Sequence, residues 1–132
     1  MKFNIAFATD DGESFIDRHF GDSKYYDIYE ISETNSAFVK RIKNTTEEDN
    51  EEIHADPKKA KGVVSLFKGE NIKVLVSKVF GPNIKRIKTK FVCILMNNKI
   101  NKSIESLQQN IDLINDEWEK GEERNHLNLK KV

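Results

Sequence analysis

Residues 3–8, Phe-Asn-Ile-Ala-Phe-Ala, form a short apolar run bounded by Thr9-Asp10-Asp11-Gly12, which predicts a buried strand running into a loop. Residues 25–31 alternate aromatic and β-branched positions with polar ones; after a turn at Glu33-Thr34-Asn35-Ser36, residues 37–42 offer a third strand, so the pair reads as a hairpin. The polar, acidic stretch 44–52 reads as a connection. Asp56-Pro57 then supplies an N-cap and a proline at the first helical position. Ala60, Val63, Val64 and Phe67 share one face and Gly69 ends the pattern, predicting a helix that covers a sheet. Residues 72–77 predict a fourth strand, and Gly81-Pro82-Asn83 opens a short helix with Ile84 and Ile87 inward. Residues 91–96, Phe-Val-Cys-Ile-Leu-Met, are continuously apolar, as in a parallel strand covered on both faces. Ile100, Ile104, Leu107, Ile111, Ile114 and Trp118 mark one last helix running to about Lys120, with Gly121 as its stop. Residues 122–132 are charged, with Leu127, Leu129 and Val132 as their only anchors, and predict a loose tail.

This order of elements predicts an α/β domain over residues 1–120, a mixed five-stranded sheet between helices, followed by the charged tail 121–132. Right-handed crossovers make the first, fourth and fifth strands parallel. A crevice is expected beyond the carboxyl ends of the first and fourth, where the winding changes direction. Thr9, Asp10, the loop carrying His19 and the helix start at Gly81-Pro82-Asn83 would border it. Free N–H groups and the helix dipole there would favour an anion, by ~0.3 to 1 kcal/mol for the dipole alone.

Composition narrows the partners. The 22 basic and 22 acidic side chains cancel, leaving no global field to attract nucleic acid or an anionic membrane. With 37% hydrophobic and 33% charged residues, a soluble protein is expected, and no apolar run approaches the roughly 20 residues that span a bilayer. The amino terminus has no secretory pattern, and the single cysteine, Cys93, cannot form an internal disulfide; a cytoplasmic location is the expectation.

His19 concentrates the candidate chemistry. A neutral imidazole can coordinate a transition metal, bond a polar ligand or accept a proton, and Gly21 would let the backbone turn sharply beside it. A histidine that only pins its own turn fits the same residues. Cys93, between Val92 and Ile94, reads as a buried small hydrophobe, and His54 and His126 read as solvated. No Cys-x-x-Cys or paired-histidine spacing supports a self-sufficient zinc or iron-sulfur site, so a cluster would have to arrive preassembled. Asp10, Asp11, Asp17 and Asp22 could serve a two-metal nuclease, but the other strands bring few acids to that end. Phosphate-loop and nucleophile-elbow motifs are missing.

Three segments carry a resemblance: Phe7-Ala8-Thr9-Asp10-Asp11; His19-Phe20-Gly21-Asp22-Ser23 leading into Tyr26-Asp27-Ile28-Tyr29-Glu30; and Val76-Ser77-Lys78-Val79-Phe80-Gly81-Pro82. In this order they resemble the dinitrogenase iron-molybdenum cofactor biosynthesis family, whose members are similar to the cofactor-carrying nitrogenase accessory proteins, over roughly residues 1 to 110. The resemblance implies a ribonuclease H-like three-layer α/β/α fold with sheet order 3-2-1-4-5 and strand 2 antiparallel to the rest. It implies a non-enzymatic accessory or carrier protein that binds iron-molybdenum cofactor, an iron-sulfur precursor or a related anionic ligand, with cluster donor or acceptor proteins as partners. His19 would be the metal ligand, and Phe20, Gly21, Asp10, Gly81 and Asn83 would complete the site. The chain departs from the family pattern at Lys88-Thr89-Lys90, which lacks a glycine, and in its longer final helix and tail. Two alternatives stand beside the carrier: a cofactor-free interaction or regulatory module using the final helix and tail, and a metal-dependent nuclease.

Overall fold

A computed structural model describes residues 1–45 and 57–130, with the side chains of 57–61 set aside. The polar connection beyond residue 45, His54, the Asp56 cap, the Ala60 side chain and Val132 lie outside what is described.

The first strand, β1 (Lys2–Thr9), is the centre of the sheet and is buried from Ile5 to Thr9, which is why its sequence is apolar on both faces. It pairs antiparallel with β2 (Tyr25–Ser32), from Lys2 opposite Ser32 to Thr9 opposite Tyr25. It pairs parallel with β4 (Ile72–Ser77), with Ile5 beside Val74 and Phe7 beside Val76. The hairpin partner β3 (Ser36–Lys43) edges the sheet beside β2, with a register shift between Ile28 and Tyr29. On the other side β5 (Val92–Leu95) follows β4 in parallel. The sheet order is therefore β3-β2-β1-β4-β5, with β2 antiparallel to its companions, as expected.

A sixth strand was not anticipated. Leu127–Asn128 form β6, parallel to β5, with Ile94 opposite Leu127, and the Leu129 N–H donates to the Leu95 carbonyl at 2.9 Å. The expected loose tail is thus docked. Arg124, only 6% exposed, donates to the carbonyls of Trp118 and Thr89 and stacks 4.1 Å above the Trp118 ring. Two residues carry no readable strand period, and a tail rich in charge hides an arginine whose stem and planar head can lie on an aromatic ring.

Helices cover both faces. On one side, α1 (Pro57–Leu66) and the single-turn α2 (Ile84–Ile87) bring Val63, Phe67 and Ile87 onto Ala6, Ala8, Tyr26, Ile28, Leu75 and Cys93. On the other, α3 (Ile100–Gln109) and α4 (Ile111–Glu119) bring Ile100, Leu107, Ile111 and Ile114 onto Phe3, Ile5, Phe7, Val74, Val76, Val92 and Ile94. The last helix expected as one piece is two, broken at Asn110 (φ −117°, ψ 20°), whose amide donates to the Ser106 carbonyl. The apolar spacing runs through the break unchanged because both segments face the same sheet. Among the described residues no helix is long and apolar enough to cross a membrane.

Candidate functional site

The chain between β1 and β2 is built from short polar side chains that bond their own backbone. The Thr9 hydroxyl, fully buried, receives the Gly12 N–H at 2.9 Å, and Asp11 Oδ1 receives the N–H groups of Glu13 and Ser14 at 2.8 and 2.9 Å. Those two N–H donors, Ser14 foremost, hold the Asp11 carboxyl below its usual range. Asp10 uses both oxygens: one accepts the Lys24 N–H at 2.9 Å and the other pairs with Arg18 at 2.8 Å. Partial burial opposes ionisation of Asp10, but the Arg18 and Lys24 bonds outweigh it and its pKa is lowered.

His19 precedes a 3-10 turn at Phe20–Asp22, closed by the Asp22 N–H donating to the His19 carbonyl at 2.8 Å. Gly21 sits in this right-handed turn and is not among the positive-φ glycines, so the sharp bend expected of it does not depend on glycine's freedom. Phe20 is 0% exposed, stacked on Phe80 with ring centroids 5.1 Å apart and against Tyr26 at 4.8 Å. Its role is to root the loop in the core. The Tyr26 hydroxyl donates to the Phe20 carbonyl at 2.7 Å, and the Asn44 amide donates to the carbonyls of Gly21 and Ser23, both at 2.8 Å. Asn44 was missed by sequence reasoning, since an asparagine after an edge strand carries no signal of what it will cap.

The second loop comes from the end of β4. Val79 makes a parallel bridge to His19, Lys78 pairs with Asp17, and Gly81 turns at φ +76° directly beneath the imidazole. The loops that follow β1 and β4 thus meet at His19 and Gly81, with Asp10 tied to Arg18 on the first of them. Asn83 is 8% exposed and its carbonyl receives the N–H groups of Arg86 and Ile87, both at 3.0 Å. The Ile84 and Lys85 N–H groups go to Gly81 and Pro82. The expected anion-favouring helix start is therefore absent: in a one-turn helix these donors close back on the turn and no dipole accumulates.

His19 is partly buried, and among the described residues its imidazole takes part in no hydrogen bond. No group of three or more His, Cys, Asp or Glu able to hold a metal ion occurs among the described residues. Cys93 is fully buried in the face shared with α1, and burial pushes its thiol up to about 12, so it presents no thiolate. The loop carboxylates do not converge: Asp10 faces Arg18, Asp11 its own backbone, and Asp17 Lys78.

The sequence model of the dinitrogenase iron-molybdenum cofactor family matches residues 1–110. Among solved structures, the chain is similar to the crystal structure of a proposed dinitrogenase from Methanocaldococcus jannaschii, at 21% identity and a TM-score of 0.57. That likeness covers 83% of this chain and 90% of the other, and it supports the fold. No curated protein matches. With five-sixths of its length matched in sequence and the same sheet order that its motifs imply, the chain belongs to the dinitrogenase iron-molybdenum cofactor family.

Proposed function

We propose that this protein is a non-enzymatic carrier or accessory factor that holds a preassembled, anionic metallocluster of the iron-molybdenum or iron-sulfur type at His19. The observation that carries the reading is the imidazole itself: partly exposed, without a hydrogen-bonding partner among the described residues, where the loops after β1 and β4 meet. A histidine that only pinned its turn would spend a nitrogen on the backbone. Here the turn is closed instead by the Asp22 N–H, the Tyr26 hydroxyl and the Asn44 amide.

One imidazole, with no further ligand cluster among the described residues, suits a cargo assembled elsewhere. His19 would donate an in-plane nitrogen lone pair to one metal of the cluster, displacing a labile ligand that leaves with its own electron pair. No electron transfer or hydrolysis is required. Arg18 and Lys78 flank the loop and offer cations to an anionic cargo, although each already neutralises a carboxylate. Gly21, Phe20, Asp10 and Asn83 serve as scaffold for the loops in this reading, and partners would be proteins that deliver or accept the cluster.

The test is anaerobic. Wild type and His19→Ala are mixed with isolated iron-molybdenum cofactor, and separately with a synthetic four-iron, four-sulfur cluster bearing small exchangeable thiolates. Iron and molybdenum retained after gel filtration, and the visible absorption of the protein fraction, report uptake. Stoichiometric uptake by wild type that is largely lost in His19→Ala supports the proposal. No uptake by wild type, or equal uptake by the variant, removes it in favour of a cofactor-free interaction module.

A further inference from the structure

We infer that Gly81 is the positioning residue for His19: its missing side chain lets the imidazole lie with its face on the backbone of the turn after β4, so that Gly81 covers a ring face and not the in-plane lone pair of Nδ1. This deepens the reading of His19 as a ligand and rests on it for its purpose, but the placement of the ring stands on geometry alone.

A β-carbon built on Gly81 would stand 2.5 Å from His19 Nδ1, 2.6 Å from Cγ and 2.7 Å from Cε1. All three distances are shorter than a real methyl tolerates. Their near equality also shows the direction of approach. An atom meeting Nδ1 along its in-plane lone pair would be much farther from Cγ and Cε1 than from the nitrogen, so the missing carbon lies over the ring face. The imidazole therefore rests on Gly81 by its π surface, and the edges that carry the lone pairs are not the edges being covered.

The backbones on either side leave little freedom to relieve a substitution. His19 bridges Val79, two residues before Gly81, and the neighbours Phe20 and Phe80 stack with their planes 13° apart. Both loops are thereby held at fixed separation by a backbone bridge and a buried aromatic pair. A methyl group on Gly81 has one flexible obstacle to move, which is the imidazole, and turning His19 about its side-chain bonds takes the ring off the Gly81 backbone. The left-handed φ of +76° adds a cost that does not involve His19.

Gly69 separates the two effects, because it has φ +83° and nothing within 4 Å of a built β-carbon. Gly69→Ala reports backbone strain without a ring contact. Urea unfolding of Gly81→Ala, Gly69→Ala, His19→Ala and the His19→Ala/Gly81→Ala double variant forms the test, with nuclear Overhauser contacts between the His19 ring protons and the Gly81 α-protons as the direct readout. The expected result is that Gly81→Ala lowers the folding equilibrium constant about tenfold more than Gly69→Ala, as overpacking against a ring would. That excess should vanish once His19 is alanine. The ring contacts should be present in wild type and lost in Gly81→Ala, and uptake of the synthetic cluster should fall to the level of His19→Ala.

An excess that persists without the imidazole overturns the inference, and so does an absence of ring contacts in wild type. If Gly81→Ala does not fold, the double variant decides: restored folding supports the inference and continued failure overturns it. Failure of wild type to take up cluster, with the coupling and ring contacts intact, removes the carrier function and leaves Gly81 as the support of His19.

Discussion

Phe20→Ala probes whether the His19 loop owes its position to one buried ring. Phe20 is fully buried between Phe80 at 5.1 Å and Tyr26 at 4.8 Å, with Phe67 edge-on at 6.2 Å. Truncating a buried phenylalanine costs about 3–5 kcal/mol, through lost transfer energy and the cavity left behind. The Tyr26 hydroxyl, the Asn44 amide and the His19–Val79 bridge hold the loop backbone in place, so collapse into the cavity is limited and about 4 kcal/mol is expected. That is a large share of the roughly 5–15 kcal/mol available to a domain. With a urea m-value of about 1.5 kcal/mol/M, the unfolding midpoint falls by about 2 to 3 M. Phe20→Leu, which keeps most of the volume, should cost about 1 kcal/mol. Urea titration followed by the single tryptophan, with amide exchange over residues 18–24, measures both stability and loop anchoring. A midpoint shift under about 0.5 M would refute the claim that this ring is a main anchor of the loop in the core.

Arg124→Ala should cost about 2 kcal/mol, because it removes the bonds to the Trp118 and Thr89 carbonyls and the stack on Trp118. Faster amide exchange over 121–130 and a red-shifted tryptophan emission are expected; unchanged exchange would mean that the tail is held by something else. Cys93 should resist alkylation in the folded state at pH 8 and react only with denaturant, since its thiol titrates near 12. Below pH 9.0 the folded and unfolded chains both hold this proton. Above it the unfolded thiol ionises while the folded one does not until about 12, so stability falls across that window. The Cys93 share, up to about 1.4 kcal/mol per pH unit, is read as the difference in slope from Cys93→Ala, and parallel slopes would contradict it. Ser77 Oγ is fully buried with no hydrogen-bond partner among the described residues, so Ser77→Ala should be neutral or stabilising by up to about 1 kcal/mol. A clear loss of stability in thermal melts would show that the hydroxyl does have a partner.

Most of the architecture was legible along the chain because each element carries its own period. The central β1 is apolar on both faces, the β2–β3 hairpin alternates, and the residues from Ile100 to Trp118 repeat at helical spacing. Two features carry no such local signal. The break at Asn110 leaves the apolar face continuous, and β6 is two residues long, so neither alters the pattern that periodicity detects. The short helix after Gly81-Pro82-Asn83 was legible as an element but not as chemistry, since its N–H groups are spent within one turn.

The amino-acid sequence by itself determined the order of elements from β1 to β5, the sheet order that its motifs imply and the family, and it singled out His19 as the candidate site residue. These follow from hydrophobic periodicity and from short motifs, both of which are properties of neighbours along the chain. Only the tertiary structure decided what His19 rests on and what surrounds it. Gly81 beneath the ring, Phe80 against Phe20, Lys78 beside Asp17 and Asn44 across the turn all come from distant parts of the chain. Their meeting depends on strand register and on the close approach that a glycine permits, and no local pattern encodes either.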